Sequence, residues 1–456
     1  MKIITDAKKI EEVLTRGVEN IYPNKEELKK VLMSGKRIRL YCGYDPTAKS
    51  LHIGNAISIN KLGQFQELGH EVIFLIGDFT GMIGDPTDKT ATRKKLTREE
   101  ALENSKNYQK QASGYLKFDG ENPAKILYNS EWSDKLSFKD LIELSSNFTV
   151  QQMLQRDMFE RRMLVTYVQC RHCKSLFKSP IQFNSKEAFE SSKLTNNTTN
   201  CPVCGKMTGL DNADLRLVDQ QAPIYLHEFL YPLAQGYDSV AMNVDLEIGG
   251  NDQMFNMLCG RDLVRIVNKK EKFVLTLKLL ADETGKKMGK TEGNVINLDE
   301  SGENMFGQVM AWSDGLINPG FELCTNLPVE EINEIKEKLK NSNNNPRDFK
   351  IKLAYEITKI NYGEKKAKEA EENFENTFTK GGIPEDVLEV SVKDDVKLVD
   401  VLLAEKIVSS KTEWRRLVGE GAITDMDKNE KVKDTEAKAS KTVYKIGKHR
   451  FIKIIV

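Results

Sequence analysis

Long apolar runs are missing: nowhere in 456 residues does the sequence approach the roughly 20 consecutive apolar positions that a membrane-crossing helix needs. Residues 1–12 alternate charges with single apolar side chains and carry no signal-peptide h-region, so a cytoplasmic location is expected. Histidine is scarce, with five in the chain and no H-E-x-x-H pair, which leaves little room for a histidine-rich metalloenzyme. Seven cysteines are too few for a disulfide scaffold at this length and, without an export signal, point to a reducing compartment. Neither sign of charge prevails. The 68 Lys and Arg balance 68 Asp and Glu, which argues against a whole-molecule electrostatic binder of nucleic acid and leaves room for a local basic patch. No internal repeat and no long low-complexity tract occurs. What is present is a chain with 39% hydrophobic and 30% charged residues, enough to bury a core and divide into two or three domains.

The pattern of residues 38–147 alternates between strand and helix. Residues 38–44 (IRLYCGY) are β-rich and end in the turn signal Asp45-Pro46-Thr47. Ile59, Leu62, Phe65 and Leu68 recur at spacings of three, with Gly69 as a helix stop. Residues 72–76 (VIFLI) form a continuous apolar run, expected of a strand buried on both faces of a parallel sheet. This is a βαβ unit, and a doubly wound sheet carries its ligand beyond the carboxyl ends of its strands. Segments 41–55 and 77–86, rich in Gly, Asp and Thr, lie there. Residues 167–209, rich in Cys, Ser, Asn and Thr, read as an insertion, and α/β character is expected to resume from 215 to 280. Helical periodicity with Lys/Glu pairs marks 327–340 and 350–378, and the last ~65 residues have the look of a small α+β module.

Three segments suggest chemistry. In Leu51-His52-Ile53-Gly54-Asn55, a helix start offers unpaired N–H groups to phosphate, and Gly54 lets a nucleotide lie against the backbone. Thr47 and His52 are donors placed to stabilise charge on a transferring phosphoryl group. By themselves those residues fit an ordinary capped helix with a surface histidine equally well. In Lys287-Met288-Gly289-Lys290-Thr291, two lysines flanking a glycine suit a loop that clamps the outer phosphates of ATP. Finally, Cys170-x2-Cys173 and Cys201-x2-Cys204, separated by 27 residues, form two knuckles able to close a four-thiolate structural zinc site. A redox dithiol is the lesser alternative. Cys42, Cys259 and Cys324 read as core residues.

Taken in order, YCGYDPTAKSLHIGN, GDFTGMIGDPT, LYPLAQGYD, EIGGNDQ and KMGKT resemble the class I aminoacyl-tRNA synthetases, specifically the bacterial-type tyrosyl-tRNA synthetases. The likeness runs from 38 to 291, apart from the cysteine segment, and resumes in a tail similar to an S4-type RNA-binding domain. It implies a Rossmann-like α/β fold with a doubly wound parallel sheet. The domains implied are a catalytic domain at 1–291 with the zinc-knuckle insertion at 167–209, a helical anticodon-binding domain at 292–383, and the S4-like domain at 384–456. The activity implied is formation of tyrosyl-adenylate from tyrosine and ATP, with Mg²⁺ accompanying ATP, followed by transfer to tRNA-Tyr. The family also implies a homodimer, and the insertion stands where its members carry the connective segment that forms the dimer interface.

Residue by residue, the resemblance assigns Tyr41 and Asp238 to the phenol hydroxyl and Asp85, Tyr231 and Gln235 to the α-ammonium. It assigns Gly43, Asp45, Gly54, Asn55, Gly250, Asp252 and Gln253 to ATP and the adenylate. Thr47 and His52 match transition-state donors, and Lys287, Lys290 and Thr291 the mobile signature loop. Lys89 and Arg93 align with basic loop residues and are equally well read as a solvated turn. Independently of the family, a buried carboxylate facing a hydroxyl rejects phenylalanine, which leaves its lone pairs unpaired. Tyr231, Gln235 and Asp238, at i, i+4 and i+7, share one helix face. Asn55 departs from the family, whose first signature usually ends in a second histidine. In the tail, Lys438, Lys441, Lys445, Lys448, Arg450 and Lys453 follow Glu436 without an intervening acid, and Lys411, Trp414, Arg415 and Arg416 suggest a basic, aromatic helix for RNA phosphates. The rivals are the sister synthetase for tryptophan, an adenylyltransferase without tRNA, and a non-catalytic RNA-binding derivative.

Overall fold

The computed structural model describes residues 2–455 other than 86–95, 155–163, 182–185, 193–196, 212–213, 220–224, 282–294, 342–343, 379–386, 393–395, 406, 409, 429 and 448–449. Its central element is a six-stranded sheet of β1 (Val18–Tyr22), β2 (Arg39–Tyr44), β3 (Glu71–Ile76), β4 (Lys125–Tyr128), β5 (Leu246–Gly250) and β6 (Phe273–Leu277), in the order β1-β6-β5-β2-β3-β4. All neighbours are parallel except β1 with β6. The apolar runs explain this arrangement: β3 buries five of its six residues and β6 all five, as strands covered on both faces must.

Strand order reverses between β2 and β5, which is the switch point of a doubly wound sheet. The sheet opens there. β2 and β3 are in register over six positions, whereas β2 and β5 pair only at Leu40–Leu246 and Tyr41–Glu247. Helix α1 (Ile53–Glu67) follows β2 and stops before Gly69, whose φ of +94° ends it as expected. Helices α2 (Leu226–Ala241) and α3 (Met254–Val267) pack closely, because Gly236 and Gly260 meet where a Cβ on either would crowd the other's backbone to about 3.1 Å.

The cysteine-rich insertion differs from expectation at its edge. Strand Leu215–Asp219 does not rejoin the main sheet; it pairs antiparallel with Leu164–Gln169, which also pairs with Leu176–Lys178. A short strand with three apolar residues in five (LRLVD) suits either sheet, and only pairing decides between them. A second hairpin joins Thr198–Asn200 to Met207–Gly209.

The chain forms two compact units, residues 1–299 with 318–337, and 300–317 with 338–456. In the second, Gly363 at φ +87° divides the expected 350–378 segment into helices Pro346–Tyr362 and Glu364–Phe378. Both pack on Gly302–Met310, with Phe306 and Phe374 ring centroids 5.5 Å apart. The C-terminal module is a five-stranded sheet with helices Leu398–Ala404 and Lys411–Gly419, built on Leu402, Trp414, Ile423, Ile446 and Ile452. The expected borders at 291/292 and 383/384 lie outside the described residues.

Candidate active site

Four strands deliver polar residues to one edge of the sheet. Asp45 follows β2, Gly77 follows β3, Asn129 follows β4, and Gly250 ends β5 beside Asp252 and Gln253. Gly43 is an exposed position of β2 facing Leu75. From above, α2 contributes Tyr231, Gln235 and Asp238 on one face, as their spacing requires.

Asp238 is buried and accepts two hydrogen bonds, from Trp132 Nε1 to Oδ1 at 2.8 Å and from Asn129 Nδ2 to Oδ2 at 3.2 Å. Burial pushes its carboxyl well above the ordinary range, against the pull of those donors. Asn129 is itself oriented, since its Oδ1 accepts from Phe79 N at 2.9 Å and Nδ2 also reaches Thr80 Oγ1. Asp45 accepts from Thr80 Oγ1 at 2.6 Å and Tyr231 Oη at 2.8 Å. Burial raises its carboxyl to about 7, with the neighbouring charges of Asp85 and Asp78 pushing the same way. A side chain at Gly77 would overlap Asp45 and Thr80, so glycine is what lets this cluster form.

The amides form a continuous chain. Gln253 Nε2 donates to Asp85 Oδ2 at 2.6 Å. Asn256 Nδ2 donates to Gln253 Oε1 at 3.0 Å and Gln235 Oε1 at 2.9 Å, and Gln235 Nε2 donates to Glu247 Oε1 at 3.0 Å. Tyr41, also buried, bonds not to Asp238 but to Ser239 Oγ at 2.9 Å. The residues assigned to the phenol and the ammonium are therefore brought together. Asn129, Trp132, Thr80, Ser239, Glu247, Asn256 and Lys272 join them without having been read from sequence. Asn129 and Trp132 were discoverable from their place just after β4; Lys272, which directly precedes an apolar strand, offers no pattern.

On the nucleotide side, His52 caps α1, its Nδ1 accepting from Gly54 N at 3.1 Å. A neutral ring bonded this way carries its hydrogen on Nε2 and presents a donor. Asn55 returns the cap, accepting from His52 N at 3.0 Å, so its side-chain oxygen serves the helix. Thr47 N donates to Asp45 O at 2.8 Å, placing it beside the carboxylate cluster. Lys287, Lys290 and Thr291 lie outside the described residues, as do Lys89 and Arg93. The chain that follows them is nonetheless anchored at the cleft: Ile53 N donates to Ile296 O at 2.9 Å and Leu298 N to Leu51 O at 2.8 Å.

The two cysteine knuckles are built alike. Cys170 N bonds Ser175 O and Lys174 N returns to Cys170 O; Cys201 N bonds Lys206 O and Gly205 N returns to Cys201 O. Each ends in a residue with positive φ, Lys174 at 61° and Gly205 at 71°. All four Sγ atoms lie within 4.8 Å of one another, with Cys170–Cys204 at 3.8 Å and Cys173–Cys201 at 3.7 Å. Those separations match the ~3.8 Å edge of a tetrahedron with Zn–S bonds of ~2.3 Å and are far beyond a disulfide's ~2.05 Å. Cys42, Cys259 and Cys324 are buried in the core.

In the tail, several of the basic residues already have acidic partners. Lys453 pairs with Glu389 at 2.5 Å, Arg450 with Glu413 at 2.9 Å, Arg416 with Glu420 at 3.0 Å and Lys411 with Asp400 at 3.9 Å. Lys445 lies over the Phe451 ring, and Lys448 falls outside the described residues. Trp414 corrects the reading of its helix as an aromatic RNA surface. It is the largest fully buried side chain among the described residues and donates Nε1 to Thr435 O at 2.9 Å, so its ring packs the core instead of facing a base.

The family model for class I tRNA synthetases of the tryptophan and tyrosine group matches residues 33–170 and 176–379. The tyrosine–tRNA ligase of Haemophilus ducreyi is 38% identical over 446 residues, covering 97% of each chain. That of Thermotoga maritima is 36% identical over 444 residues, covering 97% of this chain and 96% of its own. Among solved structures, a C-terminally truncated mitochondrial tyrosyl-tRNA synthetase from Aspergillus nidulans aligns with a TM-score of 0.58 at 19% identity, covering 82% of this chain and 94% of its own. The Archaeoglobus fulgidus tyrosyl-tRNA synthetase with L-tyrosine aligns at 0.54 and 19%, covering 80% and 100%. At such identity these two bear on the fold alone.

Proposed function

The chain belongs to the class I tRNA synthetases of the tryptophan and tyrosine group, and on that premise we propose that it ligates tyrosine to tRNA. The observation that carries the choice of tyrosine over phenylalanine is Asp238, a buried carboxylate held by Trp132 and Asn129 beyond the open end of β2 and β5. A phenol hydroxyl satisfies such an acceptor, and a phenyl ring does not. The near full-length likeness to tyrosine–tRNA ligases supports the same choice.

In this reading the tyrosine carboxylate attacks the α-phosphorus of ATP. The new O–P bond forms as the bond to the β-phosphate breaks, and pyrophosphate leaves. The terminal ribose hydroxyl of tRNA-Tyr then attacks the acyl carbon and expels AMP. No protein side chain forms a covalent bond; the chain's work is positioning and charge stabilisation. Asp85, Tyr231 and Gln235 receive the α-ammonium, Gln235 being oriented by Asn256 and Glu247, and Asp45, which accepts from Tyr231 Oη, lies beside the adenylate. Gly43, Gly54, Gly250, Asp252 and Gln253 receive the nucleotide, with Asn55 holding the cap of α1. Thr47 and His52 donate to the departing phosphates together with Lys287, Lys290 and Thr291, and Mg²⁺ bound with ATP supplies further charge neutralisation.

Cys170, Cys173, Cys201 and Cys204 are proposed to hold one structural zinc, which their sulfur spacing supports. A homodimer is proposed from the family. Helix Phe138–Ser145 supports it by exposing Phe138 and Ile142 on one face, as does Leu226 at the start of α2. The domain roles of 292–383 and 384–456 in contacting tRNA are likewise proposals. Among the described residues no helix is long and apolar enough to cross a membrane.

The family includes tryptophan enzymes, so ATP–pyrophosphate exchange with tyrosine, phenylalanine and tryptophan is the deciding assay. Exchange driven by tyrosine alone is expected. Exchange driven by tryptophan would transfer the assignment to the sister activity.

A further inference from the structure

Behind Tyr41 lies a fully buried ion pair, of which only Glu247, through Gln235, has a part in the reaction described. Lys272 is 0% exposed and Glu247 2%, and they are in direct contact. Two like-sized apolar residues would avoid the desolvation that both ions suffer, so the pair is not explained by stability. Its place is specific. Glu247 sits opposite Tyr41 in the last bonded register between β5 and β2, where the sheet opens into the cleft. The ammonium occupies space left by Gly260, at which a Cβ would approach Lys272 Nζ to 2.7 Å.

The hydrogen count of this cluster has a direction. Lys272 Nζ has three N–H groups and three acceptors: Ser239 Oγ at 2.7 Å, Met257 O at 3.2 Å and Glu247 Oε2. An ammonium donates only, so Ser239 Oγ accepts from it, and the single Ser239 hydrogen is directed elsewhere. Two acceptors are in reach, Tyr41 Oη at 2.9 Å and Glu247 Oε2 at 3.3 Å. Glu247 Oε2 is already taken up by Lys272 Nζ, so the Ser239 hydrogen is assigned to the shorter contact with Tyr41, and donation from a charged group to Ser239 strengthens that bond. With its oxygen accepting from Ser239, Tyr41 turns its own hydrogen outward. Glu247 meanwhile fixes the other end of the pocket by accepting from Gln235 Nε2.

We propose that Lys272, acting through Ser239, is a positioning residue that makes Tyr41 a committed hydrogen-bond donor to the phenol oxygen of the substrate, with Glu247 keeping the lysine charged. This rests on the tyrosine reading above. A phenol O–H then gives its hydrogen to Asp238 and takes one from Tyr41, a two-sided match. Phenylalanine satisfies neither group, and an indole N–H meets a donor where it has no lone pair to offer.

The test is ATP–pyrophosphate exchange with tyrosine, phenylalanine and tryptophan for wild type, Ser239→Ala and the double variant Glu247→Gln/Lys272→Met, with melting temperatures. Lys272→Met alone would strand a buried carboxylate, which is why the double variant is used. In Ser239→Ala, kcat/KM for tyrosine is expected to fall about tenfold, the effect of one hydrogen bond, while phenylalanine and the KM for ATP are unchanged. The double variant should lose tyrosine preference in the same direction. If it fails to fold, Ser239→Ala decides. Unaltered tyrosine preference in Ser239→Ala would overturn the relay, and so would a KM for ATP that rises as much as that for tyrosine, since that is general loosening. Wild-type exchange with tryptophan instead of tyrosine would overturn the tyrosine reading and leave the relay's geometry untouched.

Discussion

Asp45 shows how far a residue's surroundings can shift its chemistry. Its two hydroxyl donors favour the charged form, but burial outweighs them and holds the carboxyl at about 7 against an ordinary 3.8. A carboxyl whose folded value is raised binds its proton more tightly when folded. Its contribution to stability is therefore present below about pH 4 and is lost as pH rises through about 7. Asp45→Asn, which cannot ionise, should raise the melting temperature at pH 8 and leave it unchanged near pH 4; calorimetry at both values checks this. Wild-type kcat/KM for tyrosine should fall below pH 7 as Asp45 takes up its proton, and the limb should be absent in the Asn variant. The tyrosine ammonium favours the ionised form, so in the kcat profile the limb should move to lower pH. An equal stability gain at both pH values would show that Asp45 does not titrate in this way.

Among the elements, βαβ and knuckle segments were the most legible, because each combines a hydrophobic period with a punctuating residue. The run 72–76 predicts a doubly covered strand and β3 is one, while Gly69 predicts a helix stop and has φ +94°. Leu215–Asp219 opens the segment expected to return to α/β character yet pairs within the insertion's own sheet, because five residues of mixed polarity carry no information about which sheet receives them. The cysteine knuckles rest on local turns that are already closed by their own backbone hydrogen bonds. Metal analysis should find about one zinc per chain, and Cys201→Ser should lose it and expose segment 164–219 to protease, since three thiolates leave the tetrahedron incomplete. A variant retaining one zinc per chain would refute the four-cysteine site.

For the molecule as a whole, the cleft is assembled within residues 1–299, while the last module has its own core around Trp414, Leu402 and Ile452. A chain shortened to residues 1–378 should therefore activate tyrosine as well as the full chain in pyrophosphate exchange. Its KM for tRNA in the charging reaction should rise about tenfold or more, with a shallower dependence on salt, if the tail contributes phosphate contacts. Equal charging by both chains would remove the tail from tRNA recognition. Net neutrality is no obstacle to such a role, because affinity for RNA depends on where charge lies and not on its sum.

The order of motifs along the chain was enough for fold class, family and most of the cleft, because glycines, turn residues and helix-face spacing act through local geometry. Tyr231, Gln235 and Asp238 share a face whatever surrounds them. Contacts between distant segments were not readable in that way. Trp414 in a basic helix looks like an RNA surface until packing buries it, and Lys272 before β6 looks like a solvated strand edge until Gly260, Ser239 and Glu247 enclose it. Burial and partner choice depend on segments tens to hundreds of residues apart, and those terms raise the carboxyl of Asp45 and bring Ser239 Oγ within 2.9 Å of Tyr41 Oη.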